Sequence, residues 1–194
     1  MLKNASVFFM DASGMGEFFN KVLLANPKIG LRPMVKADFQ SLYVVASDPL
    51  IWLQHPDQLR YTPEGFCRYF ASAFSADCFP LVVFHPDSGE IMGASRYYRF
   101  HPETGSVYIG YTFLARKYWG GIWNARLKLQ MLEYALLHCQ QVFFEAALVN
   151  LRSVSALDKL GAIRLPHPES GKVLFEVNRE NQTKIKTNLL RRVA

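Results

Sequence analysis

Three stretches of this sequence combine residue types at spacings that can do chemistry. The first is Tyr118-Trp119-Gly120-Gly121-Ile122-Trp123-Asn124, where two adjacent glycines separate an alternating apolar segment from a helix-patterned one. The first N–H groups of a helix lack intrahelical partners, and the aligned peptide dipoles place roughly half a positive charge there. Glycines ahead of such a start let an anion come close to the backbone. Three or four N–H groups, each contributing about 1.5–3 kcal/mol to a charged acceptor, would supply much of a micromolar affinity for a phosphate group. Arg116 and Lys117 would add charge attraction. A turn that needs glycine only for steric reasons reads the same way on these residues alone.

The second is Glu145, the only charge in Gln141-Val142-Phe143-Phe144-Glu145-Ala146-Ala147-Leu148. A carboxylate with apolar neighbours is placed to act as a general base. A salt-bridged position on an outer face is the alternative, and Glu103, in a turn, is a weaker candidate. The third is Asn150-Leu151-Arg152-Ser153. Asn150 is placed to hydrogen-bond a ligand or to make a turn, and the Ser153 hydroxyl to donate a proton or to cap a helix. Trp119 and Trp123 flank the glycines, where they would stack on a ligand or pack on the helix. Tyr108 and Tyr111 are expected on one side of their strand. The five histidines have no ligand spacing and most are followed by proline, so no metal site is expected.

The elements that must position these residues follow from periodicity and turn residues. Ile29–Met34 reads as a short strand, and Phe39, Leu42, Tyr43 and Ala46 follow at helical spacing. A loop runs through Pro49, Pro56 and Asp57. Thr62 is the N-cap of the next helix, with Pro63 at its first position. Phe79–His85, Glu90–Phe100 and Ser106–Leu114 form a meander joined by Pro86–Gly89 and His101–Gly105 turns. A helix from about Asn124 to His138, a buried strand Gln141–Leu148 and a helix Ser153–Leu160 stopped by Gly161 come next. Strands near Ile163 and from Lys172 to Val177 close the pattern. The order predicts an α+β fold, a single domain around a mixed, mostly antiparallel sheet flanked by helices. Its expected extent is residues 29–180, with 1–28 as an arm or appended element and 181–194 as a basic tail.

The stretch Val107–Leu114, the loop after it, and Asn150-Leu151-Arg152-Ser153-Val154-Ser155-Ala156-Leu157-Asp158-Lys159-Leu160-Gly161-Ala162 together resemble the GCN5-related N-acetyltransferases (GNAT), in particular the ribosomal-protein-acetyltransferase-like branch. The resemblance follows element order over about residues 29–178 and is specific in 107–162. It implies transfer of an acetyl or other acyl group from acyl-CoA directly to an amine of a protein, peptide or small molecule. It implies acetyl-CoA as the acyl-donor co-substrate, with the pyrophosphate and pantetheine held by Phe113, Leu114, Ala115, Lys117, Tyr118, Trp119, Gly120, Gly121, Ile122, Trp123, Asn124, Asn150 and Ser153. Backbone N–H groups near Phe113 and Leu114 would hold the acyl carbonyl. The sequence departs from the family pattern at Trp119, in place of Gln or Arg, at Ile122, in place of the first Gly, and at Leu157, where many members carry a proton-donating Tyr. These departures sustain a second reading, a catalytically weakened acyl-CoA-binding sensor or interaction module.

Bulk properties bound both readings. At 194 residues the chain suits one domain with a sizeable core. A 50% hydrophobic content excludes disorder, and no apolar run approaches the roughly 20 residues of a membrane span. The net charge of +6 favours anionic partners, although no nucleic-acid reader motif is present. Cys67, Cys78 and Cys139 are too scattered for a disulfide framework, which suits a cytoplasmic setting. A homodimer through a sheet edge or the N-terminal arm is the expected assembly, and the acceptor amine is not legible.

Overall fold

The computed structural model describes residues 24–25 and 28–193. Eight strands form one sheet in the order β1-β2-β3-β4-β5-β6-β8-β7: β1 Leu24–Ala25, β2 Gly30–Pro33, β3 Cys78–Phe84, β4 Ile91–His101, β5 Ser106–Leu114, β6 Gln141–Ala147, β7 Ile163–Leu165 and β8 Lys172–Asn178. Every neighbouring pair is antiparallel except β5 and β6. The expected α+β class and mixed sheet are therefore present.

Alternation along the strands divides the core between the two faces. Leu81, Val83, Tyr97 and Ile109 pack beneath α4 (Trp123–His138), α5 (Leu151–Leu160) and α6 (Gln182–Val193). Val82, Ala94 and Phe113 face α1 (Phe39–Ala46), α2 (Pro49–Trp52) and α3 (Pro63–Ala71). Capping fixes where these helices begin. Thr62 Oγ1 accepts from Gly65 N at 3.1 Å ahead of Pro63, as expected. Asp38 joins β2 to α1, accepting from both Arg32 guanidinium nitrogens and from Val35 N.

Three segments differ from the sequence reading. The expected loop at Pro49 contains α2, because Asp48 accepts from Leu50 N and Pro49 fills the first helical position. Helix α5 begins at Leu151, two residues early, because Asn150 is its N-cap. The expected basic tail is largely α6, whose Ile185 and Leu189 are buried in the core. Within the expected 1–28 arm, Leu24–Ala25 pairs with β2, and residues 1–23 and 26–27 lie outside the described residues.

The parallel pair creates the site. β5 and β6 are in register only from Ser106↔Gln141 to Tyr108↔Phe143. Beyond that they diverge, and Ile109–Leu114 and Phe144–Ala147 border a gap whose facing backbone groups have no strand partner. A β-bulge shapes the rim. Ala94 pairs with Phe113 and Arg96 with Gly110, so Ser95 opposes both Tyr111 and Thr112. Tyr111 takes φ 52, and Tyr69 donates its hydroxyl to the Tyr111 carbonyl at 2.8 Å. At Gly93 a Cβ would lie 2.0 Å from the Phe113 carbonyl oxygen, so only glycine lets β4 support β5 there.

Candidate functional site

The gap opens into a cleft of about 640 Å³ bounded by β5, β6, α2, the loop before α4, and α5. Most of the residues singled out from the sequence converge on it. Phe113, Leu114, Tyr118, Trp119, Gly120, Gly121, Asn124, Glu145, Asn150 and Ser153 line the cleft. Ala115, Lys117 and Ile122 lie in the loop before α4, and Trp123 is the first residue of that helix.

At the loop, Gly120 has φ 70 and Gly121 precedes the N-cap Ile122. A Cβ at Gly120 would meet nothing within 4 Å, and one at Gly121 only Trp123 Cδ1 at 3.7 Å. The space above both glycines is open. No side chain caps α4, and its first intrahelical bond is Arg126 N to the Ile122 carbonyl. The N–H groups of Trp123, Asn124 and Ala125 thus point outward without a protein acceptor among the described residues, an arrangement that fits a pyrophosphate. The flanking side chains do less than their types suggested. Lys117 is ion-paired with Glu90 and Arg116 with Asp48, so both charges already have carboxylate partners. Trp119 Nε1 donates to the Leu114 carbonyl at 2.9 Å, and Trp123 packs edge-on to Tyr118. Both tryptophans therefore pack on the protein.

The cation at this end is one that sequence reasoning missed. The Arg152 guanidinium lies 4.1 Å from the centre of the Trp119 ring and donates to the Ile51 carbonyl at 2.9 Å. Its backbone N–H donates to Gln54 Oε1 at 3.0 Å. Asn150 Oδ1 accepts from Ser153 N at 3.3 Å, so both belong to the α5 cap while bordering the cleft.

Across the gap, the surroundings of Glu145 are not apolar, contrary to its strand neighbours in sequence. Arg99 Nη1 donates to Oε1 at 2.8 Å and His167 Nε2 lies 3.1 Å from the same oxygen. Glu169 N donates to His167 Nδ1, which leaves the proton of a neutral ring on Nε2, directed at Glu145. The Tyr98 hydroxyl is 3.5 Å from Oε2, so that oxygen is the less engaged of the two. Tyr98 contacts the rings of both Tyr108 and Tyr111, which places the two tyrosines on one side as expected. In a regular strand a spacing of three would separate them; the bulge reunites them. Burial, reinforced by Arg60, holds the His55 ring down at about 4, so a neutral imidazole borders the cleft beside Trp52.

On the opposite sheet face, Lys128 of α4 enters the gap from below. Its ammonium donates to Thr112 Oγ1 at 3.0 Å and lies 5.1 Å from the centre of the Phe144 ring. Burial pushes it down to about 7. Leu157, buried, borders the same space. Glu145 is the one carboxylate among the described lining residues. No group of three or more His, Cys, Asp or Glu among the described residues is arranged to hold a metal ion, and no helix among them is long and apolar enough to cross a membrane.

Comparison with known proteins supplies an independent reading. A family model described as "Acetyltransferase (GNAT) domain" matches residues 28–163. A GCN5-related N-acetyltransferase from Brucella melitensis superposes with a TM-score of 0.72 at 18% identity, over 89% of this chain and 85% of that one. RimJ from Mycobacterium smegmatis, solved with CoA-disulfide, gives 0.64 at 15% identity over 84% and 88%. Spermidine N-acetyltransferase from Vibrio cholerae, solved with CoA and spermine, gives 0.62 at 12% identity over 80% and 98%. At these identities the structural likenesses speak to the fold. No curated protein sequence matches the chain.

Proposed function

Since the chain belongs to the GNAT acetyltransferase domain family, and is thereby an acyl-CoA-dependent N-acetyltransferase, we propose that the cleft between β5 and β6 is where an acetyl group passes from acetyl-CoA directly to an acceptor amine. The observation that carries this reading is the meeting, in one cleft, of an uncapped helix start, two diverging strands and an oriented carboxylate. The pyrophosphate would lie on the N–H groups of Trp123, Asn124 and Ala125, with Gly120 and Gly121 allowing the approach. Asn150 and Ser153 would border the pantetheine arm in the gap. The Leu114 N–H, past the bulge and directed to the gap, would polarise the thioester carbonyl, while Phe113, paired with Ala94, directs its N–H to β4. Glu145, held by Arg99 and His167, would take the proton from the attacking nitrogen.

The same lining bears on the acceptor. A polyamine such as the spermine bound in the Vibrio cholerae enzyme needs several carboxylates. Glu145 is the only one lining this cleft among the described residues, and it is already engaged by Arg99 and His167. The cleft therefore favours an amine with one cationic site, on a protein, a peptide or a small molecule, over a polyamine. The alternative of an acyl-CoA sensor rests on Leu157, which has no proton to give, and on the loop departures at Trp119 and Ile122.

Calorimetry with acetyl-CoA tests the site. Micromolar binding by the wild type and its loss in Gly121→Glu are the expected results. The open space at Gly121 lets that variant fold, while the new carboxylate repels phosphate. Binding unchanged by Gly121→Glu would move the coenzyme elsewhere. Binding without turnover of any amine in a panel would favour the sensor.

A further inference from the structure

We propose that Lys128 is the proton donor to the departing coenzyme sulfur, an inference that rests on the cleft assignment above. Lys128 follows Asn124 by four residues, so the two lie on one side of α4 and both line the cleft. Its side chain is buried and ends in the gap just past Tyr108 and Phe143, where β5 and β6 part. Its one polar contact among the described residues is the Thr112 hydroxyl, itself 2.7 Å from Ser95 Oγ. Thr112 directly follows the positive-φ residue of the bulge and stands two residues before Leu114, whose N–H is assigned to the thioester carbonyl.

Among the described residues, the groups around it are the hydroxyls of Ser95 on β4 and Thr112 on β5 and the Phe144 ring on β6, with Leu157 on α5 and Leu189 on α6 lining the same cleft. None of these is charged. Glu145, next to Phe144 in sequence, points to the other sheet face and is held by Arg99 and His167. A buried ammonium without a counter-ion is costly, and methionine would fill the volume at less cost. Leu157 cannot donate a proton, and the Ser153 hydroxyl is a far weaker acid than an ammonium.

The step balances as follows. The acceptor nitrogen bonds to the carbonyl carbon and gives a proton to Glu145. The carbon–sulfur bond breaks with its electron pair on sulfur, and an Nζ proton moves to that sulfur. Products are the amide and the coenzyme thiol; as they leave, Glu145 gives its proton to water and Lys128, left neutral, takes one back, so no net proton is consumed. With its ammonium held at about 7 by burial, both forms are populated near neutrality, the condition under which a donor can act and be reset.

Binding of free CoA tests the assignment without any acceptor. The ultraviolet thiolate absorbance of bound CoA, referenced to bound desulfo-CoA, is followed against pH. Held at about 7, the lysine is neutral where a thiol ionises, so the bound thiol should titrate alike in the wild type and in Lys128→Met. Lys128→Met should retain affinity for desulfo-CoA, lower kcat and raise the Tm of the free protein. Lys128→Arg, charged throughout, should lower the pH at which the bound thiol ionises by about one unit, a tenfold change in its ionisation constant. It should also lower kcat, because a guanidinium pairs with the thiolate but does not release its proton. A bound thiol that titrates in Lys128→Arg as it does in the wild type would overturn the proposal while leaving the coenzyme site standing. Failure of the wild type to bind CoA at all would remove the coenzyme site and this inference together.

Discussion

Glu145 and Lys128 border the same gap from opposite sheet faces, and their surroundings suit opposite tasks. Glu145 is oriented by two donors and has one less engaged oxygen; Lys128 has a single neutral partner. Replacing Glu145 by Gln keeps the shape and removes the base. The expected result is a kcat about 100-fold lower with unchanged affinity for acetyl-CoA. An unchanged kcat across the pH range would transfer the role to another group. The sequence showed Glu145 as a lone charge in an apolar strand, but not what holds it. Arg99 and His167 lie 46 and 22 residues away, and only the pairing of β4, β5, β6 and β8 brings them together. Lys128 was invisible for a different reason. A lysine in a helix is solvent-facing by default, and only the gap above α4 makes this one internal. The shared side of Tyr108 and Tyr111 depends on a bulge that no strand pattern announces.

At the scale of elements, the strands and long helices were legible because apolar period and turn residues agree there. The pair Thr62-Pro63 marked α3 by its chemistry, and Asp48-Pro49 carries the same signal for α2 in a stretch too short for periodicity to notice. α6 escaped because its positive charges mask an i, i+4 pair, Ile185 and Leu189, of which both are buried. That pair makes α6 part of the core, and Leu189 also lines the cleft. Leu189→Ala is expected to destabilise the protein by about 2–4 kcal/mol in denaturant unfolding. A dispensable tail would lose nothing on the same substitution.

At the scale of the whole molecule, the strand order came from the structure, while the α+β class and the mixed, mostly antiparallel sheet followed from the element sequence. The separation of β5 from β6 did not, since register is a property of pairs and not of either strand. The comparison that places the chain in its family spans residues 28–163, and the fold adds β8 and α6 to that unit. One clasp joins the two ends of the cleft: Arg152 covers Trp119 at the coenzyme loop while binding the Ile51 carbonyl, and its backbone meets Gln54. Ile51 and Gln54 line the cleft on the α2 side, and an acyl donor settling on the loop is expected to set that wall. Turnover should then be ordered, with the acyl donor binding first and free CoA leaving last. In product-inhibition kinetics, CoA would compete with acetyl-CoA but not with the amine, and replacing Arg152 with Ala would let either substrate bind first.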